Sequence, residues 1–190
     1  MLLIDISKYK KILKLIVIIL VLVIGFYSIH AIFKIIYPIY YEDLILRYAK
    51  KYDLDPYLIT AIIRTESKFD EKAKSHREAK GLMQIAPITG NWASKELKID
   101  KYDETFLFIP EINIMMGCWY LNRLRSEFDG NLELMLAAYN GGSGNVNKWL
   151  KDIRYSKDGE TLEDIPFPET KNYVKKVKRS YKIYKILYTK

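Results

Sequence analysis

The sequence predicts a mainly α-helical domain that follows an N-terminal transmembrane helix. Beyond residue 40, apolar residues recur at spacings of three and four and almost nowhere alternate, which is typical of helices. Asp55 precedes Pro56 in the pattern of an N-cap and a first helical residue, and Pro110 opens another periodic stretch. An almost unbroken apolar run over residues 15–33 is long enough to cross a bilayer.

The apolar run is interrupted only by Ser28 and His30, both near its end. As a helix it would span about 28 Å, close to the roughly 30 Å of bilayer hydrocarbon. A buried core helix is the alternative, but core helices rarely stay apolar on all sides for so long. We therefore expect a cytoplasmic segment at residues 1–14 and a transmembrane anchor at residues 15–36.

Lysines on either side of the run set the expected orientation. Only Lys34 follows closely, whereas four lysines precede it: Lys8, Lys10, Lys11 and Lys14. The positive-inside rule then predicts a single pass with the N-terminus in the cytoplasm and the remaining chain outside. A cleaved signal peptide has similar flanks, but residues 28–31 lack a small-x-small cleavage pattern, which favours an uncleaved anchor.

Charge and cysteine content exclude several classes of function. The net charge is +8, but without the first 40 residues it is +4, a mild excess that favours an anionic surface such as lipid headgroups or a charged wall polymer and would also fit weak nucleic-acid binding. We expect no nucleic-acid partner, because the chain has neither a helix-turn-helix nor a zinc-ligand pattern. The single Cys118 excludes an internal disulfide and a cysteine-rich metal site, and we expect neither a metal nor a cofactor.

The first elements after the anchor follow from periodicity and capping. Residues 41–52 form an amphipathic helix, and a second helix is expected from Pro56 to about Ser67. Residues 69–80 are polar and indicate a loop with broken helical turns. Helical spacing then returns over residues 81–97, where Gly81 and Pro87 mark interruptions.

The clearest helix begins at Pro110, where a stripe contains Ile112, Met115, Met116 and Trp119. We expect Met115, Met116 and Cys118 to be core residues rather than ligands. Residues 131–150 form two helices broken at residues 139–144. A loop in which Asp158 and Gly159 favour a short hairpin leads to a basic C-terminal helix.

Glu66 stands out because it ends an apolar stripe. On a helix it shares a face with Ile62 and Ile63. A carboxyl that packs against apolar side chains either has a polar or charged partner or has a raised pKa, because burial disfavours its charged form. The spacing therefore makes Glu66 a candidate acid in a site.

Four short stretches place polar side chains beside helix ends, glycines or prolines, where a ligand can approach the chain. They are "ES" at 66–67, "GLMQIAP" at 81–87, "AYNGGSGNV" at 138–146 and "IPFPETKNYV" at 165–174. The glycine-rich stretch alone is weak, and it lacks the Lys-Ser/Thr ending of a phosphate loop. The combination of all four is what carries information.

In this order and spacing, the four stretches resemble the catalytic domain of soluble-type (SLT) lytic transglycosylases, which has the goose-type lysozyme fold. The resemblance covers roughly residues 42–185, so we expect the domain at residues 42–190. It implies an enzyme on the outer side of the bacterial cytoplasmic membrane whose partner is the peptidoglycan glycan strand. The implied reaction cleaves the β-1,4 bond between N-acetylmuramic acid and N-acetylglucosamine and leaves a 1,6-anhydro end.

The resemblance also implies residue roles. Glu66 matches the single catalytic acid, and Tyr173 matches a tyrosine that points at it. Positions that match residues of the sugar site or its surroundings are Ser67, Ser75, Met83, Gln84, Tyr139, Asn140 and Glu169. Glu78 stands where family members commonly have a glycine, which puts the conformation of that loop in question because positive φ disfavours other residues.

A lone acid constrains the mechanism. Most glycosidases use two carboxylates, but Asp70, Glu71 and Glu78 lie in a Lys-rich stretch and are expected to be solvated. For the family, the acetamido group of the substrate assists, and Glu66 would act first as acid and then as base. A hydrolytic lysozyme on the same fold and a non-catalytic peptidoglycan-binding scaffold remain alternatives. The sequence indicates no particular envelope protein as a partner.

Overall fold

The structure is a computed structural model that describes residues 6–189 and divides into two compact units, Met1–Pro38 and Ile39–Lys190. Among the described residues every regular element is helical, which confirms the predicted mainly α class. The first five residues of the expected cytoplasmic segment, residues 1–14, lie outside the described part of the chain.

The first unit is one long helix, α1 (Ile6–Ile36). Its stretch Ile12–Ile36 has a mean hydropathy of 2.8 and no buried residues, and is long and apolar enough to cross a membrane. The helix begins before residue 15, so the lysine-containing segment from Ile6 onward and the apolar run belong to one continuous helix.

The second unit contains seven α-helices and one short 3₁₀ helix within residues 39–189. In chain order they are α2 (Glu42–Tyr52), α3 (Pro56–Glu66), α4 (Pro87–Glu96), the 3₁₀ helix (Glu104–Phe108), α5 (Pro110–Glu127), α6 (Leu132–Gly141), α7 (Ser143–Leu150) and α8 (Pro168–Tyr188). Helix α3 packs along α8, and α6 also packs on α8. Helix α5 packs against α2, α4 and α6 on the other side of the core.

Helix α3 begins as its sequence predicts. The Asp55 carboxylate accepts a hydrogen bond of 2.8 Å from the Tyr57 N–H, and Pro56 occupies the first turn. The helix ends at Glu66, one residue before the predicted end. Because Ile62 and Ile63 in its last turns have no exposed surface, the position of Glu66 is fixed by packing.

Helix α5 shows one error in the predicted core. Met116 and Cys118 are fully buried as expected, but Met115 is only half-buried. The stripe that faces the core instead includes Asn113, Ile114 and Leu121. The prediction from apolar spacing was wrong here because Asn113 is polar and yet lies on the buried face of the helix.

The loop over residues 67–86 folds around the Asn113 side chain. Its amide donates hydrogen bonds to the Lys80 and Leu107 carbonyls at 2.9 and 2.7 Å, and its oxygen accepts from the Met83 N–H at 2.7 Å. Gly81 adopts a φ of 75°, and a Cβ there would lie 2.1 Å from the Leu107 carbonyl oxygen. Only glycine fits at this position.

Glu78 adopts a φ of 63° in this loop, so the left-handed conformation persists without a glycine. Its carboxylate pairs with Lys74 at 2.7 Å. Such a backbone conformation is disfavoured for a residue with a Cβ. The loop therefore keeps this turn despite the glutamate.

The predicted hairpin near Asp158 and Gly159 is wrong. Residues 151–167 form turns and contain no strand. The Asp158 carboxylate accepts hydrogen bonds from the backbone N–H groups of Glu160 and Thr161, both at 2.8 Å. This local capping satisfies the backbone in a turn and competes with strand pairing.

We predict that Asn113→Ala destabilises the protein by at least about 2 kcal/mol, because the Met83 N–H and the Leu107 carbonyl lose their Asn113 partner, while the Lys80 carbonyl keeps its bond from the Ile85 N–H. The measurement is the urea midpoint of the full chain. Asn122→Ala, at a half-buried position of the same helix whose side chain makes none of these hydrogen bonds, is the matched control and should shift the midpoint little. Equal shifts for the two variants would contradict this role of Asn113.

Candidate active site

Glu66 lies where the buried helix α3 meets a cleft. The cleft has a volume of about 420 Å³, and Glu66 forms part of its lining. Burial raises the pKa of the Glu66 carboxyl from its ordinary value of 4.5 to about 7, in the direction that its position beside Ile62 and Ile63 predicts. A carboxyl of this kind can donate a proton near neutral pH and can accept one afterwards.

Two neighbours act on the Glu66 carboxyl in opposite directions. The nearby Tyr173 hydroxyl lowers the pKa of Glu66, and the negative charge of Glu169 raises it, both less strongly than burial does. The Tyr173 hydroxyl is itself buried and makes no hydrogen bond of standard geometry with a described residue. It lies close enough to Glu66 to act as a hydrogen-bond donor to the ionised carboxylate, and this favours the ionised form.

The cleft brings together side chains from all four stretches that the sequence singled out. Six of the predicted site residues line it: Glu66, Ser75, Gln84, Tyr139, Asn140 and Glu169. Chain segments far apart in sequence thus meet because α3, the loop over residues 67–86, α6 and the start of α8 converge at one place.

The loop residues that line the cleft are also held by the loop. The Ser75 hydroxyl accepts from the Ala79 N–H at 3.1 Å, and the Gln84 amide donates to the carbonyls of Ala73 and Gly81 at 3.0 and 2.9 Å. These bonds fix the two side chains before any ligand binds. A ligand would then meet a wall that is already ordered.

Helix α6 presents Tyr139 and Asn140 in its last turn. The Tyr139 hydroxyl donates to the Met83 carbonyl at 2.9 Å, and its pKa is raised by burial and, to a smaller extent, by the charge of Glu66. The Asn140 side-chain oxygen accepts from the Thr170 hydroxyl at 2.8 Å. Because the Asn140 side-chain oxygen faces Thr170, the side-chain NH₂ group of Asn140 points away from Thr170.

Three predicted residues do not reach the cleft surface. The Ser67 hydroxyl donates to the Leu82 carbonyl at 2.8 Å and ties the loop to the end of α3. Met83 is fully buried, with its side chain close to Gly117 of α5. Tyr173 is also buried, beneath the cleft and beside Glu66. These three residues pack behind the side chains that line the cleft and do not themselves line it.

The second carboxylate among the described lining residues is Glu169, and its setting differs from that of Glu66. Its side chain is 68% exposed and accepts a hydrogen bond of 3.2 Å from Arg77. An exposed, ion-paired carboxylate therefore stands in a setting unlike that of the largely buried Glu66. Asp70 and Glu78 are exposed as predicted, and Glu71 accepts from the Tyr41 hydroxyl at 3.0 Å.

Sequence reasoning missed part of the lining, namely His76, Arg77, Ala79 and Ala86. His76 and Arg77 could have been proposed as lining residues from their position between Ser75 and the "GLMQ" stretch, but that segment was treated only as a polar loop. Among the residues that the structure describes, no group of three or more His, Cys, Asp and Glu side chains could hold a metal ion.

Comparison with known proteins gives a consistent result. A profile described as the transglycosylase SLT domain matches residues 43–162. A soluble lytic murein transglycosylase from Salmonella typhimurium is 39% identical over 143 residues, which cover 74% of this chain and 22% of that protein. The chain therefore spans only about a fifth of the length of that relative.

Two further comparisons extend the likeness. A membrane-bound lytic murein transglycosylase C from Edwardsiella ictaluri is 31% identical over 169 residues, covering 76% of this chain and 46% of that protein. An inactive Glu-to-Gln mutant of the lytic transglycosylase Slt from Pseudomonas aeruginosa matches with a TM-score of 0.71 and 38% identity, covering 80% and 25% of the two chains. The predicted lysozyme-like helical fold is thereby confirmed.

We predict that Glu66→Gln stabilises the fold in a pH-dependent way. Folding favours the protonated carboxyl, so the wild type loses stability as pH rises from about 4.5 to 7, while the glutamine variant does not. The variant should equal the wild type at pH 4 and exceed it by roughly 3 kcal/mol at pH 8. Urea unfolding at several pH values provides the measurement.

Glu96→Gln is the control for this experiment, because its side chain is exposed on α4 and does not line the cleft. It should show no comparable growth in the stability difference with pH. A Glu66→Gln difference that stays constant from pH 4 to pH 8 would mean that the Glu66 carboxyl is not desolvated.

Proposed function

The chain belongs to the transglycosylase SLT family, and from this we propose that it is a membrane-anchored lytic transglycosylase that cuts peptidoglycan. The observation that carries the proposal is the dry Glu66 carboxyl in a cleft whose other carboxylate, Glu169, is exposed. The names of the relatives support murein as the substrate. The inactive Glu-to-Gln mutant of the Pseudomonas relative supports a glutamate as its essential group.

The bond that breaks joins the C1 carbon of N-acetylmuramic acid to the O4 oxygen of N-acetylglucosamine. Glu66 donates its proton to that leaving oxygen, and the substrate acetamido oxygen attacks C1 as the bond opens. A raised pKa supports this step, because a carboxyl of ordinary pKa would already be ionised at neutral pH.

In the second step Glu66 acts as a base. Its carboxylate removes the proton of the C6 hydroxyl, whose oxygen bonds to C1 and displaces the acetamido oxygen. The product is a 1,6-anhydro ring, Glu66 regains its proton, and no water is consumed. Tyr173, which stabilises the ionised carboxylate, acts between the two steps.

The remaining lining residues hold the glycan. Ser75, Gln84 and Asn140 offer polar groups for sugar hydroxyl and amide groups, and Glu169 with Arg77 closes one side. Tyr139 fixes the floor through its bond to the Met83 carbonyl. Ser67 and Met83 position this floor from beneath and do not contact the sugar.

Membrane anchoring is the second part of the proposal. The apolar helix over Ile12–Ile36 and the membrane-bound relative support it. The excess of lysines before the helix supports a cytoplasmic N-terminus, residues 1–14, and an extracytoplasmic catalytic domain, residues 42–190. The transmembrane part is assigned to residues 15–36.

We predict that the full chain converts purified peptidoglycan to fragments with 1,6-anhydro ends, detected by mass spectrometry. Glu66→Gln should lower the rate by a factor of about 10² to 10⁴, the typical contribution of a general acid. Glu78→Gln, an exposed carboxylate of the adjacent loop, should keep the wild-type rate. Reducing ends would identify a hydrolytic lysozyme, and binding without cleavage a scaffold.

We also predict opposite pH shifts for two variants. Cleavage needs protonated Glu66, so kcat/KM should fall as pH rises through about 7. Tyr173→Phe removes a group that lowers the pKa of Glu66, so the fall should move to higher pH. Glu169→Gln removes a charge that raises this pKa, so the fall should move to lower pH.

The readout is the midpoint of the alkaline limb rather than the rate itself, because loss of substrate contacts changes the rate at every pH. Shifts of both variants in the same direction would contradict the assignment of the limb to Glu66.

A further inference from the structure

Helix α8 has a basic outer side. Its inner side buries Tyr173, Val177 and Tyr184. On the opposite side an exposed stripe, hereafter the basic face, consists of Lys175, Arg179, Lys182 and Ile186. Their spacings of four, three and four place them along one line of the helix.

The charge of this helix is one-sided. Helix α8 contains seven lysines and arginines and a single acid, Glu169, in its first turn. Lys171 and Lys178 form ion pairs with Asp164 and Glu133. By contrast, no cation of the basic face forms an ion pair with any residue in the range 6–189. The basic face therefore presents three cations to solvent without a close ion pair, although Lys175 is near enough to Asp164 to lower the pKa of that carboxyl.

A very short tether limits how far the second unit can lie from the anchor helix. Helix α1 ends at Ile36, and the second unit begins at Ile39. From there the chain is fixed to its own unit, since the Tyr40 ring packs 5.4 Å from the Phe69 ring. The intervening segment spans at most about 11 Å when extended. If α1 crosses the bilayer, the surface around Ile39 lies at the headgroups.

The C-terminal end of α8 lies near this surface. The negative charge of Glu42, the first residue of α2, adds to the effect of burial in raising the pKa of Tyr188. The Tyr188 carbonyl accepts a hydrogen bond of 2.8 Å from the Tyr57 hydroxyl, which fixes the helix end to α3. The basic face thus ends near the start of α2, three residues after Ile39.

We propose that the basic face is a docking surface for anionic phospholipid headgroups. Lys175, Arg179 and Lys182 bind lipid phosphates, and Ile186, with 68% of its surface exposed, enters the interfacial layer. The inference rests on the membrane anchor of the proposed function. Three cations and one apolar side chain bind weakly when free, but a short tether raises their effective concentration at the lipid surface.

Docking would leave the cleft open. Glu169 lines the cleft at the other end of α8, about 25 Å from Ile186 along the helix axis. It points to a different side of the helix from the basic face, because helical residues turn by 100° each. Docking would fix the height and the orientation of the cleft relative to the bilayer. An undocked domain on the same tether would rotate freely.

The test uses the full chain in lipid nanodiscs with a nitroxide at Ile186→Cys. The native Cys118 is fully buried and stays unlabelled. In discs that contain phosphatidylglycerol, the label should become several-fold less accessible to a water-soluble relaxation agent than in discs of phosphatidylcholine alone. The accessibility of a label at Ile88→Cys, another exposed site, on α4, should be the same in both disc types.

Two charge-matched triple variants separate docking from net charge. K175Q/R179Q/K182Q should abolish the protection of the label at 186, whereas K95Q/K98Q/K101Q, which removes three exposed lysines elsewhere, should preserve it. Both should cleave purified peptidoglycan in detergent at the wild-type rate. Equal accessibility in the two disc types, or protection only on addition of peptidoglycan, would overturn the proposal.

Failure of the anchor is visible separately. An anchored chain floats with uncharged phosphatidylcholine vesicles, whether or not the basic face docks. If the chain floats with vesicles but the label at 186 is not protected in discs that contain phosphatidylglycerol, docking is overturned and the anchor stands. If the chain floats neither with phosphatidylcholine vesicles nor with vesicles that contain phosphatidylglycerol, both the anchor and docking are overturned.

Discussion

Desolvation of the Glu66 carboxyl is the constraint on which the site depends. Helix α3 is surrounded by other helices, and its last turns bury Ile62 and Ile63 completely, so the residue that follows leaves the core directly into the cleft. A carboxyl at such a junction is dry enough to keep its proton and open enough to meet a ligand. The ionised form is destabilising, and a folded core of this size offsets that cost.

The surroundings of Glu66 adjust this single property. Burial sets the pKa, Glu169 raises it further, and Tyr173 lowers it, so the helix that packs beside α3 supplies both corrections from one turn. Asn113 has a different task. By joining α5 to the loop over residues 67–86, it holds the wall that faces the acid in place. The acid and the wall therefore depend on separate interactions, and each can be weakened without the other.

Much of this arrangement could be predicted from local sequence. Capping by Asp55 predicted the start of α3, and the apolar stripe placed Glu66 near its end, because these signals act within one or two turns. The error at Met115 arose because a buried amide, Asn113, replaced an apolar residue on the core face. Arg77 was missed because its role depends on Glu169, a residue 92 positions away. Contacts of this range are set by tertiary packing, which periodicity does not record.

The central claim is that the Glu66 carboxyl has a pKa near 7 because the fold buries most of it. Infrared difference spectroscopy between the wild type and Glu66→Gln measures this directly, through the carbonyl stretch of a protonated carboxyl across a pH titration. The account predicts a band that disappears with a midpoint near pH 7. A midpoint near 4.5, the ordinary value of a solvated glutamate, would contradict it.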